Sequence, residues 1–131
     1  FCYLLDIYPT LCDLTGITIP GSVQGKSLSP CFSDMASCKQ RDSLYFAYRD
    51  VQRCVREGQY KLVEYAVNGQ KTTQLFDIKA DPWELNSLAD DPQHRQELEH
   101  LREKLLEWRE ETNDKRPQEQ SFWDTYLPHS A

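Results

Sequence analysis

Residues 60–78 read YKLVEYAVNGQKTTQLFDI. Tyr60 to Val67 is rich in Val and Tyr, side chains that suit a pleated, half-buried surface, and it reads as a strand. Asn68-Gly69 supplies two adjacent residues that tolerate positive φ, which is what a tight type I′ hairpin turn requires. Gln74 to Ile78 then reads as the returning strand. Two further strands lie upstream, Leu44 to Tyr48 and Gln52 to Arg56. In the second, Cys54 alternates with Arg53 and Val55, so it points to the other side. Glu57-Gly58 offers the turn into Tyr60. These pieces build a small antiparallel sheet of three to four strands.

Downstream, Asp81-Pro82-Trp83-Glu84 has the composition of a helix start. Asp81 is the cap, Pro82 takes the first position and Glu84 reaches back, predicting a short helical turn through Leu88. Asp91-Pro92 repeats the pattern and opens a long helix to about Thr112. Leu98, Leu101, Leu105 and Trp108 are spaced by three, four and three residues. At the helical repeat they fall on one narrow stripe among Glu, Lys, Arg and Gln, so this helix is expected to cover one face of the sheet. Asn113-Asp114 and Pro117 end it. Phe122, Trp123, Tyr126 and Leu127 make the polar tail apolar enough to dock. Upstream, Ile7 to Thr15 reads as a short helix, with Asp6 before it, Pro9 in its first turn and Gly16 at its end. Leu11, Cys12 and Leu14 are expected to face inward. Ile17 to Leu28 reads as a loop, and Ser29 to Asp42 as polar and irregular. The fold class is α+β.

The 131 residues carry a formal net charge of −6. That balance argues against a general nucleic-acid binder, which works through a basic face. No apolar run approaches the roughly 20 residues that cross a bilayer. No signal peptide is read at the start, and the chain, which opens at Phe1 without Met, is expected to be part of a longer protein. Cys2, Cys12, Cys31, Cys38 and Cys54 form no CxxC pair, so zinc is not expected. Cys2 and Cys12 read as small core residues. Cys31 and Cys38 flank a polar loop and are bridged or free according to the compartment. His94, His100 and His129 make no ligand pair. Asp77 and Asp81 lack the oxygen-rich loop of a calcium site. Lys61 and Glu64 read as solvent-face charges, and Trp83, Trp108 and Trp123 as packing residues.

Four strings, DIYPTLCDLTGI (residues 6–17), VQGKSL (23–28), GQYKLVEY (58–65) and QLFDIKADPWELNSLA (74–89), followed by a late helix with Trp108 near its end, resemble the C-terminal third of the sulfatase family in order and spacing. The resemblance implies a member of the alkaline-phosphatase-like superfamily. Such an enzyme has a large α/β domain and a smaller C-terminal domain with an antiparallel sheet and a packed helix. Its large domain carries a formylglycine made from Cys or Ser in C/S-x-P-x-R, and a calcium ion held by Asp and Asn. No C/S-x-P-x-R occurs in this chain. The family's nucleophile and calcium ligands therefore fall on no residue here. No catalytic residue and no metal site is assigned, and the chain alone is expected to be inactive.

On this reading residues 1–42 are the edge of the catalytic domain, 43–115 the C-terminal subdomain and 116–131 a tail. The candidate substrate contacts are Tyr48, Arg49 and Arg53. Guanidinium forks suit sulfate and carboxylate, and a Tyr ring can stack on a sugar or aryl group. The competing reading makes them surface charge, with Arg53 paired to Asp50. The implied partners are the remainder of the catalytic domain and a sulfated small molecule or glycan. The implied activity is hydrolysis of sulfate esters of a sugar, a glycosaminoglycan or an aryl group. The implied location is periplasmic, secreted or lysosomal. Two alternatives stand beside it: a phosphoester or phosphonate hydrolase of the same superfamily, and a non-enzymatic interaction module with Ile7, Leu11 and Leu14 exposed as its binding patch.

Overall fold

Asn68 and Gly69 both adopt positive φ, 51° and 74°, and the chain reverses there in the two residues that the hairpin turn demands. A computed structural model of the chain describes residues 1–34, 38, 41–114 and 122–127. Strands β1 (Ser43–Tyr48), β2 (Gln52–Glu57), β3 (Tyr60–Val67) and β4 (Gln70–Asp77) form one sheet in the order β1-β2-β3-β4. The β2–β3 and β3–β4 pairs are antiparallel, with Cys54 opposite Val63 and Leu62 opposite Leu75. The returning strand starts at Gln70 rather than Gln74, because a two-residue turn lets pairing begin at once.

The period of two along each strand separates two apolar faces. On one face Val55, Leu62, Ala66 and Leu75 pack with Leu98, Leu101 and Leu105 of α3 (Arg95–Glu111) and with Phe122 and Trp123 of α4 (Phe122–Tyr126). On the other face Cys54, Val63 and Phe76 form a smaller cluster. Leu101 and Leu105 are 2% and 0% exposed, so the predicted leucine stripe is the one that covers the sheet. Asp91 accepts the Gln93 backbone N–H at 2.9 Å and caps a 3-10 turn, Pro92–His94, that leads into α3.

Three local expectations are corrected. Residues 81–91 contain no α-helix. The Asp81 carboxylate accepts N–H groups of Leu85 and Asn86, both at 2.8 Å, and so closes a wider loop. Glu84 sits at φ 54°, a conformation that does not propagate a right-handed helix, and its carboxylate accepts from Lys61 Nζ at 2.6 Å. Trp83, in the same loop, is 82% exposed rather than packed. Glu64 is no solvent-face charge: it stands three residues from Lys61, hence on the opposite side of β3, and is 1% exposed under α3.

The chain divides into two compact units, with the boundary between Leu44 and Tyr45. In the first, α1 (Ile7–Thr15) follows a 3-10 turn, Leu4–Asp6, and ends at Gly16 with φ 72°. A short helix, α2 (Ser29–Ser33), begins the stretch read as irregular, with Pro30 in its first turn. The disulfide Cys31–Cys38 is formed. The buried residues of α1 are Pro9, Thr10 and Cys12, whereas Leu11 and Leu14 are 55% and 59% exposed, against expectation.

Polar bonds determine which face of α1 turns in. The fully buried Asp6 carboxylate accepts the backbone N–H groups of Tyr3 (2.7 Å) and Lys26 (2.8 Å) and is clamped by both terminal nitrogens of Arg41. The Thr10 hydroxyl donates to the Asp6 carbonyl at 2.5 Å and accepts from the Leu28 N–H at 2.9 Å. The loop is thus strapped across this side of the helix. Gly25 allows the approach: a Cβ there would lie 2.2 Å from the Leu5 carbonyl oxygen. Burial by itself would raise the Asp6 pKa, but Arg41 and the two backbone donors more than reverse it, so the carboxyl titrates below its ordinary range. Asp6→Ala strands the Arg41 guanidinium beside α1. It is expected to cost about 3–5 kcal/mol of stability, measured by chemical denaturation, as loss of one partner of a buried pair does.

Candidate functional site

The turn between β1 and β2 is built from Arg49, Asp50 and Val51. Arg49 adopts φ 47°, a left-handed conformation that costs a side-chain-bearing residue about 1–2 kcal/mol. Phe46 and Tyr48 alternate with Tyr45, which packs on the α3 side, so they point to the opposite face of the sheet. They are 46% and 58% exposed. The Arg49 guanidinium lies over the Tyr48 ring, 5.5 Å from its centroid. Among the described residues no carboxylate forms an ion pair with Arg49. The tip therefore presents an exposed aromatic ring with an exposed guanidinium stacked on it.

Arg53 is placed differently. The sequence sets it beside Arg49 as an anion contact, with Asp50 as its partner in the competing reading. The structure gives it Asp114 and buries it to 2% exposure. Arg53 Nε and Nη2 donate to the two Asp114 oxygens at 2.5 and 3.1 Å. Nη1 donates to the carbonyls of Arg49 (2.7 Å) and Gln52 (2.9 Å). Phe122 and Trp123 cover the guanidinium, their ring centroids 4.9 and 5.9 Å from its central carbon. The parity of β2 carries the signal for this: Arg53 shares its side with Val55, which faces α3. Arg53 thus fixes the tip from beneath, while Tyr48 and Arg49 are the residues that meet solvent.

Asp114, which the sequence marks only as a helix end, is the centre of this network. α3 terminates with Asn113 at φ 51°. The Asn113 N–H bonds the Glu110 carbonyl (3.2 Å) and the Asp114 N–H bonds the Arg109 carbonyl (3.0 Å), a Schellman motif that turns Asp114 back toward the sheet. Asp114 also accepts from the Tyr45 hydroxyl at 2.5 Å and from Trp123 Nε1 at 3.1 Å. Burial pushes its pKa up, and the bonds from Arg53, Tyr45 and Trp123 outweigh that, leaving it below the ordinary carboxylate value.

A second buried carboxylate, Glu64, is held in the same way. Glu64 accepts from Arg102 Nε (2.8 Å), the Thr73 hydroxyl (2.6 Å) and the Tyr126 hydroxyl (3.3 Å). Burial raises the Cys54 thiol to about 11, so it is no nucleophile near neutral pH. Among the described residues no three His, Cys, Asp or Glu side chains converge to hold a metal ion.

The described part of the second unit is thus a hairpin-built sheet under one long helix, with an arginine and a tyrosine exposed at its tip. The family model described as N-sulphoglucosamine sulphohydrolase, C-terminal, matches residues 1–111, and the chain belongs to that family. Delta 4,5-hexuronate-2-O-sulfatase of Bacteroides thetaiotaomicron is 37% identical over 98 residues, which cover 69% of this chain and 20% of the relative. Arylsulfatase K of Bos taurus is 33% identical over 97 residues, covering 66% and 18%. A solved structure of a 2-O GAG sulfatase superposes with a TM-score of 0.69 at 33% identity, covering 83% of this chain and 25% of that one. The chain thus spans about a fifth of the length of these curated relatives.

Asp114 stabilises the fold only while ionised. Its contribution is complete above its unfolded pKa, about 4, and is lost as pH falls through its lower folded value. The stability difference between the native chain and Asp114→Asn is therefore expected to be largest near neutrality and to shrink below about pH 4. Denaturant midpoints measured for both proteins across this range check the sign; a difference that does not change with pH would show that the charge is not what matters.

Proposed function

We propose that this chain is the C-terminal subdomain of a sulfuric ester hydrolase acting on sulfated sugars of the glycosaminoglycan type. The observation that carries the reading is the match to the sulphohydrolase C-terminal family over residues 1–111, in a chain whose exposed tip stacks the Arg49 guanidinium over Tyr48, with no ion pair from Arg49 to a carboxylate among the described residues. The formylglycine nucleophile and the calcium ion belong to the rest of the protein. That remainder is the partner of this piece, and residues 1–42 are the edge of the catalytic domain. Residues 43–115 are the subdomain proper, and the tail begins at 116. Tyr48 and Arg49 contact the leaving-group sugar, and Arg53 holds the tip that carries them. The Cys31–Cys38 disulfide supports an oxidising location, periplasmic, secreted or lysosomal.

In the full-length enzyme, Arg49→Ala is expected to raise KM about 5-fold for a 2-O-sulfated unsaturated disaccharide with kcat little changed, the signature of lost uniform binding. An unchanged KM would sink the tip as a substrate contact. Preference for a phosphonate monoester over every sulfate ester offered would transfer the protein to the alternative reaction.

The isolated chain is expected to give no turnover of 4-nitrophenyl sulfate with or without added calcium, in a continuous absorbance assay. Turnover by the isolated chain would overturn the division of labour.

A further inference from the structure

We infer that Asp114, backed by Trp123, is a positioning residue for the substrate-facing tip, acting through Arg53 on the backbone of Arg49. This rests on the reading of the tip as a leaving-group contact. Three links carry it. The Schellman turn at the end of α3 fixes Asp114, and Trp123 Nε1 donates to its carboxylate at 3.1 Å. Asp114 takes the Nε and Nη2 hydrogens of Arg53 at 2.5 and 3.1 Å, which orients the guanidinium plane. The remaining edge of that plane donates from Nη1 to the Arg49 carbonyl at 2.7 Å.

The last link falls where the backbone most needs it. Arg49 holds a left-handed conformation that a residue with a side chain adopts at a cost, and such a conformation persists only where its surroundings enforce it. With four of its five N–H groups engaged and two aromatic rings over its face, Arg53 supplies that enforcement. The direction of the Arg49 side chain follows from its backbone. Asp114 and α4 lie beyond the family-matched stretch, residues 1–111, so the device joins a tail segment to a tip inside that stretch.

A purely structural role for Asp114 would lower stability and leave selectivity alone. A positioning role predicts dependence on Arg49. In the full-length enzyme, Asp114→Asn is expected to raise KM for the 2-O-sulfated disaccharide about 5-fold with kcat within about 2-fold, and KM for 4-nitrophenyl sulfate, which has no second sugar, little. In an Arg49→Ala background the same substitution should add nothing, since contacts acting in series are not additive. Amide hydrogen exchange at residues 49–52 should accelerate in Asp114→Asn. Trp123→Phe, which keeps the packing and removes one hydrogen bond, should show the same pattern more weakly and serves if Asp114→Asn does not fold. Multiplicative effects of Asp114→Asn and Arg49→Ala, or unchanged exchange at the tip, would overturn the inference. If exchange accelerates but Arg49→Ala leaves KM unmoved, the tip fails as a substrate contact while the hold of Asp114 on it stands.

Discussion

A guanidinium taken out of water loses several kcal/mol of hydration, and only a matched set of acceptors returns it. Arg53 has such a set, drawn from three places in the chain: two carboxylate oxygens of Asp114 at the end of α3, the carbonyl of Arg49 in the β1–β2 turn, and the carbonyl of Gln52 at the head of β2. Because each acceptor is tied to different backbone, the one cation holds together the sheet, the end of the helix and the aromatic tail. The rings of Phe122 and Trp123 exclude water from it, and that strengthens the charge interaction they cover. The tip of the β1–β2 hairpin inherits its shape from this cluster.

The same solution recurs elsewhere in the fold. Glu64 lies under α3 with Arg102, Thr73 and Tyr126 as donors, and Asp6 lies in the first unit with Arg41 and two backbone N–H groups. Each is a buried carboxylate whose bonds reach across elements distant in sequence. Apolar packing of Leu62, Leu75, Leu101 and Leu105 gives the second unit its cohesion, since burial of such side chains is non-directional. The three ionic clusters supply direction, fixing which loop crosses which helix and where the tail docks. In two of them, those of Asp6 and Asp114, the donors hold the carboxyl below its ordinary pKa in spite of burial.

The hairpin at Asn68-Gly69, the leucine stripe of α3 and the boundaries of α1 were all legible, because each depends on residues within one or two turns of one another. The docking of Phe122 and Trp123 was legible in kind, from the density of aromatic rings in a polar tail. The segment after Asp81 was misread because an Asp followed by Pro suits a wide hydrogen-bonded loop as well as a helix cap. The choice fell to Glu84, which is drawn to Lys61 across the loop. The inward face of α1 was misread for a related reason: hydrophobicity favoured Leu11 and Leu14, but the hydrogen bonds of Asp6 and Thr10 turned the other side in.

Of the candidate site, the sequence determined the chemistry on offer, an arginine and a tyrosine in a turn between two strands, together with the lack of a nucleophile motif. Side-chain type and strand period are local properties, and they suffice for that. Only the tertiary structure decided that Arg49 faces solvent while Arg53 lies beneath it. The partner that makes the difference, Asp114, is 61 residues away, and nothing in the local pattern of β2 specifies which distant carboxylate will meet it. Burial of a charge is decided by what closes over it, and that is a property of the assembled fold.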